Sequence, residues 1–252
     1  MGASSSSSQV YAVSSHTGQK NGSYAGPVSV DESAAACLTS TDEDIINLMF
    51  PVYYINEPIT QDEIQLAKDS WILIVHNKGK LFVDLQAKSG KNDNNTTSNE
   101  RDDDDDDNAP MSCISLFFQT FYSRLFDAHP EAEPMFSSGI KKQGQFLVSM
   151  ISVSLNLLND EEKFRKKMID LADTHNKRGI KANEYGLVGD VLFYSLHQVL
   201  GSEVYNKECH RAWVKIFSNM LKHIIPNAVA YEIKSGSVDQ KARISQLMRV
   251  TK

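Results

Sequence analysis

The chain is poor in the features that staple a fold covalently or carry it across a bilayer. Its three cysteines, Cys37, Cys113 and Cys209, stand far apart, with no CxxC pair. That spacing excludes a disulfide framework and fits a reducing compartment. No apolar run is long enough to span a membrane, and the first residues lack the apolar stretch of a secretory signal. The sequons at Asn21, Asn94 and Asn95 therefore predict no glycosylation. Positive charge is not in excess: 26 Lys and Arg stand against 32 Asp and Glu, a net charge of -6. Glu100 and the run Asp102 to Asp107 account for the whole of that deficit, and the remainder, close to neutral, argues against nucleic-acid binding. No segment alternates as a strand does.

What is present is hydrophobic mass in helical register. The composition is 41% hydrophobic over 252 residues, enough for one large domain or two small ones. Residues 1 to about 40 are rich in Ser, Gly and Ala without a period, and residues 1–58 are predicted to form a disordered or flexible extension. Within it, Ile45, Ile46, Leu48, Met49 and Phe50 suit a short helix docked on a core. Met1-Gly2-Ala3-Ser4-Ser5-Ser6 fits the N-myristoylation pattern, and a Ser-rich tail also meets it by chance. The first alternative predicts a cytoplasmic protein tethered to a membrane through Gly2, with a second signal needed because one acyl chain binds only marginally. The second predicts a plain cytoplasmic protein.

Thr60-Gln61-Asp62-Glu63 reads as a capping box, followed by Ile64, Ala67, Trp71 and Val75 at helical spacing, and predicts a helix from 61 to about 76. Residues 77–111 break the pattern and end in six aspartates, which predicts a long acidic surface loop. From Met111 the chain is dense in helical signals. Phe118, Phe121, Tyr122, Leu125 and Phe126 share one helix, which ends before Pro130. A helical turn through Pro134 to Phe136 follows. The next helix starts near Ile140 and carries Gln143, Leu147, Met150, Ile151, Ser154 and Leu158. Asp160-Glu161-Glu162 opens a helix closed by Gly179. Another spans about Asn183 to Leu200. The last runs from about Asn206 to Ile225, limited by Pro226, before a basic tail at 233–252.

One polar residue stands out on an apolar face. Met168, Leu171 and Ala172 precede His175 by seven, four and three positions, so the four side chains lie on one side of their helix. An imidazole aimed at a core needs a partner, either a neighbouring hydroxyl or carbonyl or a metal.

With its surroundings, His175 resembles the proximal histidine of the globin family. Leu171-Ala172 before it and Gly179-Ile180 after it are similar to the proximal segment, and Pro134-Met135-Phe136 to the turn that stacks a phenylalanine on the haem. Lys141-Lys142-Gln143-Gly144 with Leu147 resembles the distal segment, Phe121-Tyr122 the second helix, and Trp71 the tryptophan of the first. The short step from Phe136 to Gln143, with Tyr122 and Gln143 together and Tyr185 ten after His175, resembles the haem domain of flavohaemoglobins and of bacterial or protist single-domain globins.

That resemblance implies an all-α globin fold, a three-on-three helical sandwich over 59–232, with the N-terminal extension and the 77–111 acidic loop between the first two helices. It implies haem b (iron protoporphyrin IX) held by His175 as metal ligand, with Phe136, Leu147, Ile180, Tyr122, Gln143 and Tyr185 around the cofactor and no separate catalytic residue. Tyr122 and Gln143 would donate hydrogen bonds to a diatomic ligand, O2, NO or CO. The ferrous state would be five-coordinate, because no distal histidine is present. Two functions follow: a reversible, high-affinity oxygen binder suited to scavenging or sensing, or a nitric-oxide dioxygenase or peroxidase served by a separate reductase, since no flavin or nicotinamide domain follows residue 232. The chain departs from the group at Ala228, where the proximal carboxylate is expected, and in the length of the acidic loop.

Overall fold

The computed structural model describes residues 40–89, 111–136 and 139–236, and every described element is helical, with no strand among them. The helices are α1 (Ser40–Met49), α2 (Gln61–Val75), α3 (Lys80–Ser89), α4 (Cys113–Ala128), α5 (Ile140–Leu157), α6 (Glu161–Lys177), α7 (Tyr185–Leu200) and α8 (Lys207–Lys234). Short 3-10 turns at Pro130–Phe136 and Ala182–Glu184 precede α5 and α7. One layer is α2, α5 and α6, the other α4, α7 and α8, and the layers meet along α2–α8, α4–α5 and α6–α8. This is the predicted all-α globin fold, three helices on three.

Local chemistry sets the helix ends. The capping box of α2 forms: the Glu63 amide donates to Thr60 Oγ1 at 3.2 Å and the Thr60 amide to Glu63 Oε2 at 2.9 Å. Ser112 and Ser115 repeat the device at α4, and Asp160 caps α6 through the Lys163 amide. Trp71 ties α2 to α5 by donating its indole N–H to Ser152 Oγ at 2.9 Å, and Trp213 of α8 donates to Ser70 Oγ at 2.9 Å.

Three boundaries differ from those predicted. Residues 40–58 are not a loose extension: Ile46, Phe50 and Tyr54 are buried in the core. Ser218 Oγ accepts from the Ile55 amide at 2.6 Å and donates to the Tyr53 carbonyl at 2.7 Å, and the Tyr53 hydroxyl donates to Asp190. The acidic loop is shorter than 77–111, because α3 occupies Lys80–Ser89, with Leu81 and Phe82 packed on the core. Gly79 lets that helix approach: a β-carbon there would lie 2.5 Å from Cys113 Sγ. Finally, α8 does not stop at Pro226 but continues to Lys234. A proline inside a helix costs about 3 kcal/mol, and burial of Ile224, Ile225, Ala228 and Glu232 offsets it. The predicted disorder of residues 1 to about 40, the Gly2 acylation site, the acidic run and the end of the basic tail lie outside the described residues. Among the described residues no helix is long and apolar enough to cross a membrane.

Candidate functional site

His175 is fixed at both its ring and its backbone. The ring Nδ1 lies 2.8 Å from the Leu171 carbonyl. A carbonyl only accepts, so Nδ1 carries the proton and Nε2 keeps its lone pair. Burial pushes the imidazole below the usual histidine range and Arg178 adds to this, against the Leu171 hydrogen bond, so the ring is held neutral. One turn later α6 ends in a Schellman motif. The Ile180 amide returns to the His175 carbonyl at 3.1 Å and the Gly179 amide to the Asn176 carbonyl at 3.0 Å. Gly179 has φ 83°, the left-handed conformation that the motif demands. The histidine is thus the residue on which its own helix closes.

Tyr185, first residue of α7, places its ring 5.8 Å from that of His175, centre to centre. The ring is 5% exposed and its hydroxyl has no hydrogen-bond partner among the described residues; burial, and then Glu184, raise the phenol well above its ordinary range. Asn176, beside His175, is 4% exposed, and neither of its side-chain polar atoms is paired among the described residues. Buried polar atoms without partners are uncommon, and each calls for an explanation such as a water, an ion or a functional role.

The second group of residues lies on α4, the turn after it and α5. Tyr122 is buried in an aromatic nest, with ring centres of Phe121, Phe126 and Phe136 at 5.3, 5.9 and 5.2 Å. Burial pushes its phenol up to about 12, so it is a protonated donor at neutral pH. Gln143 and Leu147 stand one turn apart on α5 and are half-buried, and Leu147, Phe136 and Ile180 all pack against the core. The structure therefore pairs Tyr122 with Phe136, and His175 with Tyr185 and Ile180. Among the described residues no ring contact joins the two groups.

Two residues escaped the sequence. Ala228 is buried, as its apolar character suggests, but one turn further Glu232 brings a carboxylate to the same end of the molecule, 6% exposed, accepting from the Ala182 amide at 2.6 Å. Reading α8 as limited by Pro226 left Glu232 outside any predicted helix. Asn176 followed so directly on His175 that its own burial went unread.

Among the described residues no group of three or more His, Cys, Asp or Glu is placed to hold a metal ion. A single imidazole nitrogen cannot retain a bare ion, but it completes an iron already held by four porphyrin nitrogens. One neutral His, with Tyr185 against its ring and Ile180 bonded to its main chain, fits that group.

Comparison with known proteins agrees. Residues 119–224 match the globin family model. The chain is 29% identical over 105 residues to a flavohemoprotein of Rhizobium meliloti, covering 40% of this chain and 26% of that protein. It is 25% identical over 122 residues to a flavohemoprotein of Bordetella pertussis, covering 47% and 30%. An uncharacterized globin-like protein of Aquifex aeolicus is 23% identical over 104 residues, 41% of this chain and 73% of that one. The chain thus spans between a quarter and a third of the length of these two flavohemoproteins. With the helical order, the closed His175 turn and this match in agreement, the chain carries a globin domain at residues 119–224.

Proposed function

We propose that the chain is a haem-binding globin that reversibly binds oxygen and other diatomic gases, with His175 as the protein ligand to the iron. The observation that carries this reading is the His175 tautomer: Nδ1 is committed to the Leu171 carbonyl, so Nε2 keeps the lone pair that a metal ligand needs. Haem b, when bound, supplies an iron centre that takes O2, NO or CO.

The protein's own part is orientation, exclusion of water and hydrogen bonding. The Leu171 carbonyl holds the imidazole against rotation, and the Ile180 amide fixes the main chain of His175. Phe136, Leu147 and Ile180 offer apolar surface to a flat ring and keep water from it. Tyr122, protonated across the physiological range, and Gln143 offer an O–H and an amide N–H to a gas ligand. A hydrogen bond to a charged acceptor contributes about 1.5–3 kcal/mol, and two together slow ligand loss roughly 100-fold. Slow release suits scavenging or sensing better than bulk delivery.

The flavohemoprotein relatives favour a second reading, in which the same haem turns over nitric oxide or peroxide with electrons from a separate flavin reductase. Nitric-oxide consumption that requires added reductase would establish it.

The test of the first reading is an absorption spectrum of the purified chain loaded with haem, in ferric, ferrous and carbonmonoxy forms, beside His175→Ala. Stoichiometric uptake, a Soret band that shifts with carbon monoxide and its loss or alteration in the variant are the expected results. Absence of stoichiometric uptake by the wild type sinks the proposal. So does an unaltered spectrum in His175→Ala.

A further inference from the structure

Nine residues connect His175 to Tyr185, and in the second half of that stretch the amides of Ile180, Lys181, Ala182 and Glu184 are each hydrogen-bonded. Ile180 donates to the His175 carbonyl at 3.1 Å, Lys181 to Glu184 Oε2 at 2.7 Å, and Glu184 to the Lys181 carbonyl at 3.0 Å. These three bonds are local. The fourth is not: the Ala182 amide donates to Glu232 Oε1 at 2.6 Å, across 50 residues of sequence. Ala182 is fully buried and Glu232 nearly so.

A carboxylate is a costly choice for a buried position that needs only to be filled, because an apolar residue there would avoid the desolvation penalty. Its use here satisfies one main-chain N–H in the turn that carries the site. Glu232 also lies beyond residue 224, where the match to the globin family ends, in the part of α8 that continues past Pro226.

We propose that Glu232 is a positioning residue: it latches the 180–184 turn to the end of α8 and so fixes the His175 imidazole against Tyr185. The proposal rests on the haem reading above. Through this latch the end of α8 sets how firmly the iron's protein ligand is oriented, although Glu232 lies seven residues beyond Ile225, where the sequence places the helix end.

The test uses the full chain with Glu232→Ala, Glu232→Gln, and Val229→Ala as a packing control on the same helix turn. Amide hydrogen exchange of residues 180–185 is measured in the haem-free chain. Haem loss to excess apomyoglobin and the iron–histidine stretching band are measured in the loaded chain. Glu232→Ala is expected to speed exchange at 180–185 and haem loss by roughly tenfold each, the effect of one lost charge-assisted hydrogen bond, and to shift or broaden the band. Glu232→Gln retains an acceptor and should restore most of each signal. Val229→Ala should lower the melting temperature without moving the band. Wild-type exchange and haem loss in Glu232→Ala would overturn the latch, as would equal effects in Val229→Ala. If the wild type takes up no haem, the haem reading fails by itself, and exchange in the haem-free chain still decides whether the latch exists.

Discussion

Gly144 of α5 lies flat against Phe118 of α4: a β-carbon at position 144 would sit 2.3 Å from Cγ of the ring. No real carbon pair tolerates that approach, so the crossing of the two helices depends on glycine.

Gly144→Ala should therefore destabilise the protein, although alanine favours a helix by about 1 kcal/mol. The overpacking costs about 1–3 kcal/mol, and the displaced helix carries Gln143 with it. Urea unfolding and oxygen dissociation read both effects. A variant as stable as wild type, with unchanged dissociation, would show that the crossing relaxes freely.

Tyr122→Phe keeps the aromatic nest and removes only the hydroxyl. Oxygen dissociation from the ferrous chain should accelerate about tenfold or more, and Gln143→Leu should act in the same direction. Stopped-flow mixing with carbon monoxide measures this. Dissociation as fast in wild type as in Tyr122→Phe would remove the hydroxyl from the argument.

The Glu63–Lys215 pair makes stability depend on pH. Lys215 is 5% exposed and lies 2.7 Å from Glu63 Oε1. Burial alone would raise the Glu63 carboxyl, but Lys215 and the Thr60 amide outweigh it and hold it below the usual range. An acid lowered in the folded state contributes stability above its unfolded pKa and loses it as pH falls through the folded value. Thermal melts from about pH 6 down to about pH 3 should show this loss in the wild type and much less of it in Lys215→Met. An identical pH dependence in both would exclude the pair as its source.

Removing the cap that shares Glu63 gives a smaller effect. Thr60→Ala should cost about 1 kcal/mol, and Thr60→Ser should restore most of it. Denaturant midpoints suffice to measure both.

Tyr185→Phe deletes a buried hydroxyl that has no partner among the described residues. In the haem-free chain its stability should stay level or rise by about 1 kcal/mol, because an unpaired polar group is removed. A fall of that size would mean that the hydroxyl bonds to water or to a group absent from the folded chain alone.

Periodicity made α6 legible, since three of its core residues and the imidazole recur every three or four positions. It misjudged which residue at the C-terminal end of that face is buried deepest. The fully buried stripe is Phe164, Met168, Ala172 and Asn176, and His175 stands at its shoulder, half-buried. That shoulder position suits a side chain that must both anchor and face a ligand. The end of α8 was unreadable for a different reason. Proline is a strong local stop, and only tertiary burial of Ile225, Ala228 and Glu232 overrides it. The helix α3 was missed because its apolar residues are only half-buried and its ten positions offer little period to detect. Among the candidate site residues, Tyr122, Phe136 and Tyr185 were named by the resemblance to globins and His175 also by its apolar face, whereas the Glu232 contact joins positions that no local pattern connects.

The two indoles of the chain, Trp71 and Trp213, stack edge to face with ring centres 6.2 Å apart, each hydrogen-bonded to a serine in the core. All of the tryptophan fluorescence therefore originates at one point inside the helical sandwich. A porphyrin in that sandwich would drain the emission by energy transfer, and unfolding would shift it to the red. The protein thus carries its own optical gauge, in which brightness reports cofactor occupancy and colour reports the integrity of the fold.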